Sequence, residues 1–332
     1  MDSLLSGPVL VTGGAGYIGS HVCKALAEAG AQPVCLDTLE KGHEWAVRWG
    51  PLEIGDIGDG RFVEEVFLRH RPKVVIHLAG YIEVGESVTQ PEKYMQNNAG
   101  KSRVLIGAAV RHGVQAFVFS STCAVYGLPQ TEQLAETHRL APINPYASSK
   151  ANVERALEAA AWQGLRSASL RYFNASGADA GGLIGEAHEP ETHLIPLAID
   201  AALGRRPSLV VHGSDYPTAD GSCVRDYVHV TDLADAHLRA VGWLLALGGR
   251  SGRHEVFNLG SGTGYSVREV VDCVGRLTGR PVPHVFGARR PGDSPRLVGS
   301  IDKARSALGW TPARGLETQI EDALRWRRAM AV

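Results

Sequence analysis

The stretch Val9-Leu10-Val11-Thr12-Gly13-Gly14-Ala15-Gly16-Tyr17-Ile18-Gly19 decides the architecture of this chain. A short apolar run ends in glycines at positions 13, 16 and 19, and a helical pattern follows to about residue 29. Glycines carry no Cβ, so the chain can turn tightly out of a strand and bring backbone N–H groups at a helix N-terminus up to a pyrophosphate. Gly13, Gly16, Tyr17, Ile18 and Gly19 are therefore expected to border a bound dinucleotide. The next apolar run, 33–37, closes on Asp37. An acid at that strand end accepts hydrogen bonds from the adenosine ribose, which favours the 2′-hydroxyl of NAD over the 2′-phosphate of NADP.

Working outward, the runs 73–78 and 116–120 are continuous and apolar, as expected for strands buried on both faces of a parallel sheet. Helical patterns at 91–112 and 145–162 alternate with them. This alternation predicts an α/β fold, a doubly wound parallel Rossmann sheet. Past Asn174 the pattern changes. Residues 177–191 read as a loop, His193-Leu194-Ile195-Pro196 leads into a helix to about Leu203, and 208–212 and 255–259 read as strands. Thr231-Asp232 and Ser266 suit helix N-caps, Gly279 a helix stop, and 316–330 a closing amphipathic helix. The expected organisation is an NAD-binding domain over 1–174, completed by parts of 222–262, and a smaller mixed α/β lobe over 175–332.

Composition narrows the function classes. Lysines and arginines number 34 against 35 aspartates and glutamates, so no basic surface points to nucleic acid or an anionic membrane. The five cysteines are scattered, with no C-x-x-C pair, and read as reduced thiols. The thirteen histidines show no H-E-x-x-H or mixed Cys/His spacing, so no metal is expected. The first residues lack a basic n-region and an apolar core, and no segment reaches membrane-spanning length; the expectation is a soluble cytoplasmic protein.

The chemistry centres on Tyr146-Ala147-Ser148-Ser149-Lys150. A tyrosine four residues before a lysine on a helix places both on one face. An ammonium there favours the phenolate, so Tyr146 is expected to titrate closer to neutrality and take a proton from an alcohol while a nicotinamide takes a hydride. By itself the pair also fits a solvated helix face; the glycine turn gives it meaning. Asp56-Ile57 closes another strand-like segment and reads either as a turn or as a contact to the adenine edge. Leu78-Ala79-Gly80 ends a strand with small residues that let a cofactor pass. Ser120-Ser121-Thr122 ends the next, where hydroxyls face the ligand crevice.

Together with these, Val84-Gly85-Glu86-Ser87, residues 120–127, Arg171-Tyr172-Phe173-Asn174, residues 213–221, Val224-Arg225-Asp226-Tyr227 and Arg289-Arg290-Pro291-Gly292-Asp293 run in one order along nearly the whole chain. In this the sequence resembles the extended short-chain dehydrogenases/reductases, and within them the UDP-glucose 4-epimerase family. The resemblance implies Tyr146 as base, Lys150 on the nicotinamide ribose and Thr122 on the sugar 4′-oxygen. It implies cofactor contacts from Ser120, Asn97 and Tyr172, and substrate contacts from Asn174, His193, Leu194 and His212. Arg225 and Arg290 would clamp the diphosphate, Asp293 would reach the uridine ribose, and Leu297 would stand beside the sugar C2 substituent.

The implied reaction inverts C4 of a UDP-hexose with enzyme-bound NAD as transient hydride acceptor. Leucine at 297 implies room for N-acetylhexosamines. A UDP-xylose/UDP-arabinose 4-epimerase would share these residues. A dehydratase would place an acid after Thr122, where this chain has Cys123-Ala124. A non-catalytic NAD-binding regulator would not need Thr122, Tyr146 and Lys150 together. Ile82 (for a frequent lysine), His193 and His212 depart from the better-known bacterial pattern. The resemblance also implies a homodimer through 91–112 and 145–162, with Val104, Leu105, Ala108, Ala109 and Leu157, Ala160, Ala161 as its apolar stripes unless these face the core.

Overall fold

The computed structural model describes residues 7–248, 251–290 and 293–330. The glycine-rich opening folds as β1 (Pro8–Thr12), a turn with Gly13 at φ +72°, α1 (Tyr17–Glu28) and β2 (Gln32–Asp37). There follow β3 (Leu52–Ile54), α2 (Gly60–His70), β4 (Val74–His77), α3 (Val84–Thr89), α4 (Pro91–Tyr94), α5 (Lys101–Arg111), β5 (Ala116–Thr122), α6 (Pro145–Ala161) and β6 (Arg166–Tyr172). The later part holds β7 (Asn174–Ser176), α7 (Leu194–Ala202), β8 (Leu209–His212), β9 (Val224–His229), α8 (Val230–Ala246), β10 (Arg253–Leu259), β11 (Gly264–Ser266), α9 (Val267–Thr278), β12 (His284–Gly287), β13 (Arg296–Leu297) and α10 (Leu316–Ala329).

Seven parallel strands form the main sheet in the order β10-β6-β5-β4-β1-β2-β3. Alternate side chains of β1 serve opposite cores. Val9 and Val11 pack with Val22 and Leu26 of α1 and with Leu233 and Val241 of α8, whereas Leu10 packs with Val63 and Phe67 of α2 and Leu105 of α5. Helices on both faces leave no wet side, which is why these strands read as unbroken apolar runs. Burying one such Val, Leu or Phe side chain contributes roughly 1.5–3 kcal/mol. β10 extends this sheet from the later half of the chain, whereas β9 lies between β11 and β13 in a second sheet with β7 on it. Helices α7, α9 and α10 share the second core with Leu209 and Val211 of β8.

Three expectations change. The helix read over 91–112 is interrupted by a π-helical turn, Met95–Gly100. The wider turn carries buried Asn98, whose amide accepts from the Tyr81 N–H (2.8 Å) and donates to the Tyr81 carbonyl (3.0 Å) and Ser149 Oγ (3.1 Å). Helix α8 starts ahead of Thr231-Asp232. His229 caps it, its Nδ1 accepting from Thr231 N–H (3.0 Å), while Asp232 accepts from the Ala313 and Arg314 N–H groups (3.0 Å each). The stripes read as a dimer face turn inward: Leu105, Ala108, Ala109, Leu157 and Ala160 fill the core against β5 and α2, which outcompetes an exposed position for apolar side chains. Ser266 and Gly279 hold as read, the first in a capping box with Glu269, the second at φ +69°.

Candidate active site

A cavity of about 900 Å³ opens where the main sheet's strands end and the second lobe begins. Such a volume lies at the upper end for small-molecule sites. At one end the glycine turn makes a cradle: Gly13 N–H donates to Leu36 O (2.9 Å), and a Cβ on Gly13 would stand 2.6 Å from Ala79 N. A Cβ on Gly19 would stand 2.0 Å from Gly13 O, so only glycine lets α1 close onto the turn. No side chain caps α1, so its first N–H groups face the cavity edge with their share of the helix dipole. Asp37 accepts from Ala15 N–H (3.1 Å) and Leu39 N–H (2.9 Å), while burial raises its carboxyl above the usual range. Tyr17, Ile18, Leu78, Ala79, Gly80 and Asn97 also line the cavity. This cradle, open only because no Cβ fills it, fits a dinucleotide pyrophosphate.

Asp56 and Ile57 lie just past β3 on the same wall. Burial pushes the Asp56 carboxyl up, but Lys101 Nζ at 2.6 Å and Gly58 N–H at 2.8 Å outweigh it and hold the group ionised. Lys101 was not evident as a site residue; its ion pair arises because the start of α5, packed beside α2, meets the loop that follows β3.

Tyr146 opens α6, whose N-cap Asn144 accepts from Ala147 N–H (2.8 Å). Lys150 sits one turn on, its Nζ donating to Ser120 O (2.9 Å) and lying 6.0 Å from the Tyr146 ring centre. Burial opposes the expected acidification of the phenol. Burial pushes Tyr146 up to about 12, with the Thr122 hydroxyl pulling the other way, and burial lowers Lys150 to about 8. Desolvation dominates because the ammonium is engaged by a carbonyl and not by the phenol oxygen. Tyr172, raised by burial, pairs through its hydroxyl with His237, which burial lowers to about 4.

At the far end Asn174 Nδ2 donates to Asp226 O (2.8 Å). Arg225 is expected as a clamp separate from Asp293; the fold instead pairs them, Arg225 Nη2 to Asp293 Oδ1 at 3.2 Å, with Nη1 on the carbonyls of Val224 (2.9 Å) and Ser294 (2.8 Å). Leu297 faces Arg225 across β13–β9, lines the cavity and also touches the small core of Tyr126 and Phe173. Three of the expected contacts do not line this cavity. His212 bonds Ala288 O (3.2 Å) off the cavity, because β12 pairs with β8 there. Leu194 turns into the second core. Arg290 is exposed and does not line the cavity; its neighbours Pro291 and Gly292 lie outside the described residues.

His193 lines the cavity together with Glu186 and His188. Burial alone would lower His193, but the Glu186 and Glu191 carboxylates beside it raise it to about 10. A second group missed in the sequence lies beneath Thr122: Glu154 of α6 binds Arg171 of β6 through Nε (3.0 Å) and Nη2 (2.7 Å) and accepts from Ser121 Oγ (2.5 Å).

A family model described as NAD dependent epimerase/dehydratase family matches residues 9–260. A UDP-glucose 4-epimerase of Rhizobium meliloti (strain 1021) is 53% identical over 319 residues, 96% of each chain. The crystal structure of UDP-glucose 4-epimerase from Brucella ovis in complex with NAD superposes with a TM-score of 0.92 at 48% identity, covering 96% of this chain and 98% of that one. The UDP-glucose-4-epimerase from Stenotrophomonas maltophila, with bound NAD and formylated UDP-arabinopyranose, gives 0.94 at 38% identity, covering 98% and 99%.

Proposed function

The chain belongs to the NAD dependent epimerase/dehydratase family, and on that premise we propose that it inverts C4 of a UDP-hexose, interconverting UDP-glucose and UDP-galactose. The observation that carries this reading is one continuous cavity bordered by the glycine cradle, Tyr146, Lys150 and Thr122, and Arg225 with Asp293. NAD bound in the cradle supplies a reversible hydride acceptor for C4. Tyr146 removes the 4-hydroxyl proton and returns it to that oxygen once the keto sugar has turned over, with Thr122 bonding the same oxygen. Lys150, still mostly protonated at neutral pH, is the cation that steadies the developing phenolate. Arg225 offers its guanidinium to the diphosphate, its 3.2 Å contact to Asp293 being the longest it makes. Holding UDP firmly and the hexose loosely lets the flat 4-keto sugar turn over without escaping.

One experiment tests the reading. Purified protein incubated with UDP-galactose and no added nucleotide is expected to form UDP-glucose, and the denatured protein to release NAD, because Asp37 repels the phosphate of NADP. Absence of product, or release of NADP, overturns it. The same panel includes a UDP-N-acetylhexosamine. Leu297 leaves more room than tyrosine, and a clash excludes a group outright where contact contributes only ~1–3 kcal/mol. The parent is expected to turn over the N-acetyl sugar, and Leu297→Tyr to lose that activity alone. Equal loss of both activities removes Leu297 from the sugar pocket.

The family resemblance further supports a homodimer in the cytoplasm, where the five buried, free cysteines stay reduced. With the expected stripes buried, such an interface would use what α5 and α6 expose, including Arg103, Arg111, Arg155 and Trp162 just beyond α6, 92% exposed. A one-chain mass by light scattering at micromolar concentration rejects the dimer.

A further inference from the structure

The loop between β7 and α7 closes on itself at Glu186-Ala187-His188-Glu189-Pro190-Glu191-Thr192-His193. We propose that Glu186, His188, Glu191 and His193 form a site for one divalent transition ion of the zinc type on the wall of the main cavity. Each residue offers one ligand atom, and these atoms all lie within 4.8 Å of one another. His193 Nδ1 stands 2.7 Å from Glu186 Oε1 and 3.0 Å from Glu191 Oε1, and His188 Nδ1 stands 3.0 Å from Glu186 Oε1. Tetrahedral bonds of about 2.0–2.2 Å separate ligand atoms by roughly 3.3 Å. The close pairs therefore need to open by a few tenths of an ångström and the wider ones, up to 4.8 Å apart, to close by as much as about 1.5 Å, through side-chain torsion changes.

A second observation points to a cation. Glu191 Oε1 accepts from the Thr192 (2.8 Å) and His193 (2.9 Å) N–H groups, which fixes the carboxylate plane. Its other oxygen, Oε2, is buried without a hydrogen-bond partner among the described residues, in a side chain only 8% exposed. Leaving such an acceptor unmet costs about 1–3 kcal/mol or more for a charged group. A protonated His193 held between two carboxylates uses their Oε1 atoms and leaves Oε2 unmet. An ion at the centre of the group gives that carboxylate a partner and uses His188 as well.

The frame is held before any ion arrives. His43 Nε2 lies 2.8 Å from Ala187 O, Trp326 Nε1 donates to Glu186 O (2.9 Å), and the Tyr17 ring meets His188 edge-on. Two imidazoles with two carboxylates suit Zn²⁺ and its neighbours, whereas Mg²⁺ and Ca²⁺ take oxygen shells. The two negative charges match the ion's two positive ones. Because Glu186, His188 and His193 also line the main cavity, the ion would fasten the cavity wall beside α1.

The test uses the tag-free, NAD-loaded protein after chelator treatment, titrated calorimetrically with ZnCl₂ and spectroscopically with CoCl₂. We expect one ion per chain and the intense visible bands of four-coordinate cobalt. Loss of an outer partner of a metal ligand costs ~10–100-fold, so His188→Ala and Glu191→Gln should each weaken binding by at least roughly 100-fold. Glu191→Gln keeps the acceptor for both N–H groups and so preserves the loop. Melting temperature and NAD content verify folding of each variant. Binding undiminished in both variants, the absence of stoichiometric binding, or a six-coordinate cobalt spectrum in the parent overturns the site. Should neither variant fold, the parent's stoichiometry and cobalt spectrum decide alone. Failure of the epimerase reading would leave these measurements unchanged, so the two are separable.

Discussion

Replacing Tyr146 by phenylalanine is expected to lower UDP-galactose turnover by about 10²–10⁴-fold, the range for a positioned acid–base group. That loss corresponds to roughly 3–5 kcal/mol of barrier. The change removes one oxygen from a side chain whose ring stays in place. The melting temperature and the NAD released on denaturation should therefore match the parent. Tyr146 stands on the cavity wall with the Lys150 ammonium 6.0 Å from its ring centre and the Thr122 hydroxyl beside it. Tyr172 is the alternative phenol on the wall, but its hydroxyl is engaged with buried His237. Turnover within a few-fold of the parent would mean that another group moves the proton, and would remove Tyr146 from the chemistry. Loss of NAD together with activity would make it a binding residue instead.

The parts of the site that were legible in the sequence share one property: each is encoded by neighbours in the chain. The glycine turn, Asp37 at its strand end and the Tyr146–Lys150 turn follow from local rules about φ, strand ends and helix periodicity. Contacts that depend on two distant segments were not legible. Arg225 and Asp293 meet because β13 pairs with β9, and Lys101 meets Asp56 because the start of α5 reaches the loop after β3. His212 shows the same dependence: nothing in its own run announces that β12 pairs with β8 and brings it to Ala288. The inward dimer stripes show how periodicity marks an apolar face without saying what covers it. The π-helical turn was hidden too, since Asn97-Asn98 reads as ordinary helix until Asn98 is seen gripping the Tyr81 backbone. The Glu186–His193 cluster does leave a signal, an E-x-H-x-x-E-x-H run, but a helix-borne metal spacing such as H-E-x-x-H does not describe a loop.

Glu154 was invisible for a subtler reason. In the helical run 145–161 an acid beside Arg155 reads as solvated surface, yet its side chain is only 6% exposed and that of Arg171 only 4%. Arg171 also donates to Tyr126 Oη (3.0 Å), Tyr126 donates to Asn258 Oδ1 (2.6 Å), and Asn258 Nδ2 donates to Leu134 O (2.8 Å). One polar network thus ties α6, β5, β6 and β10 together directly under Thr122. Arg171→Met fills similar volume but strands a buried carboxylate, which costs about 3–5 kcal/mol. For a chain of this size that is an apparent melting temperature lower by roughly 4–7 °C at a fixed scan rate. Turnover should fall as well, because Glu154, which accepts from Ser121 on the strand end carrying Thr122, loses the guanidinium that holds it in place. The double variant Arg171→Met/Glu154→Leu should recover most of the stability, since replacing both charges by packed apolar groups is often neutral or better. Scanning calorimetry of the three proteins decides it. A single variant melting within about 1 °C of the parent, or a double variant no more stable than the single, would show that the pair is not the clamp its burial and bidentate geometry describe.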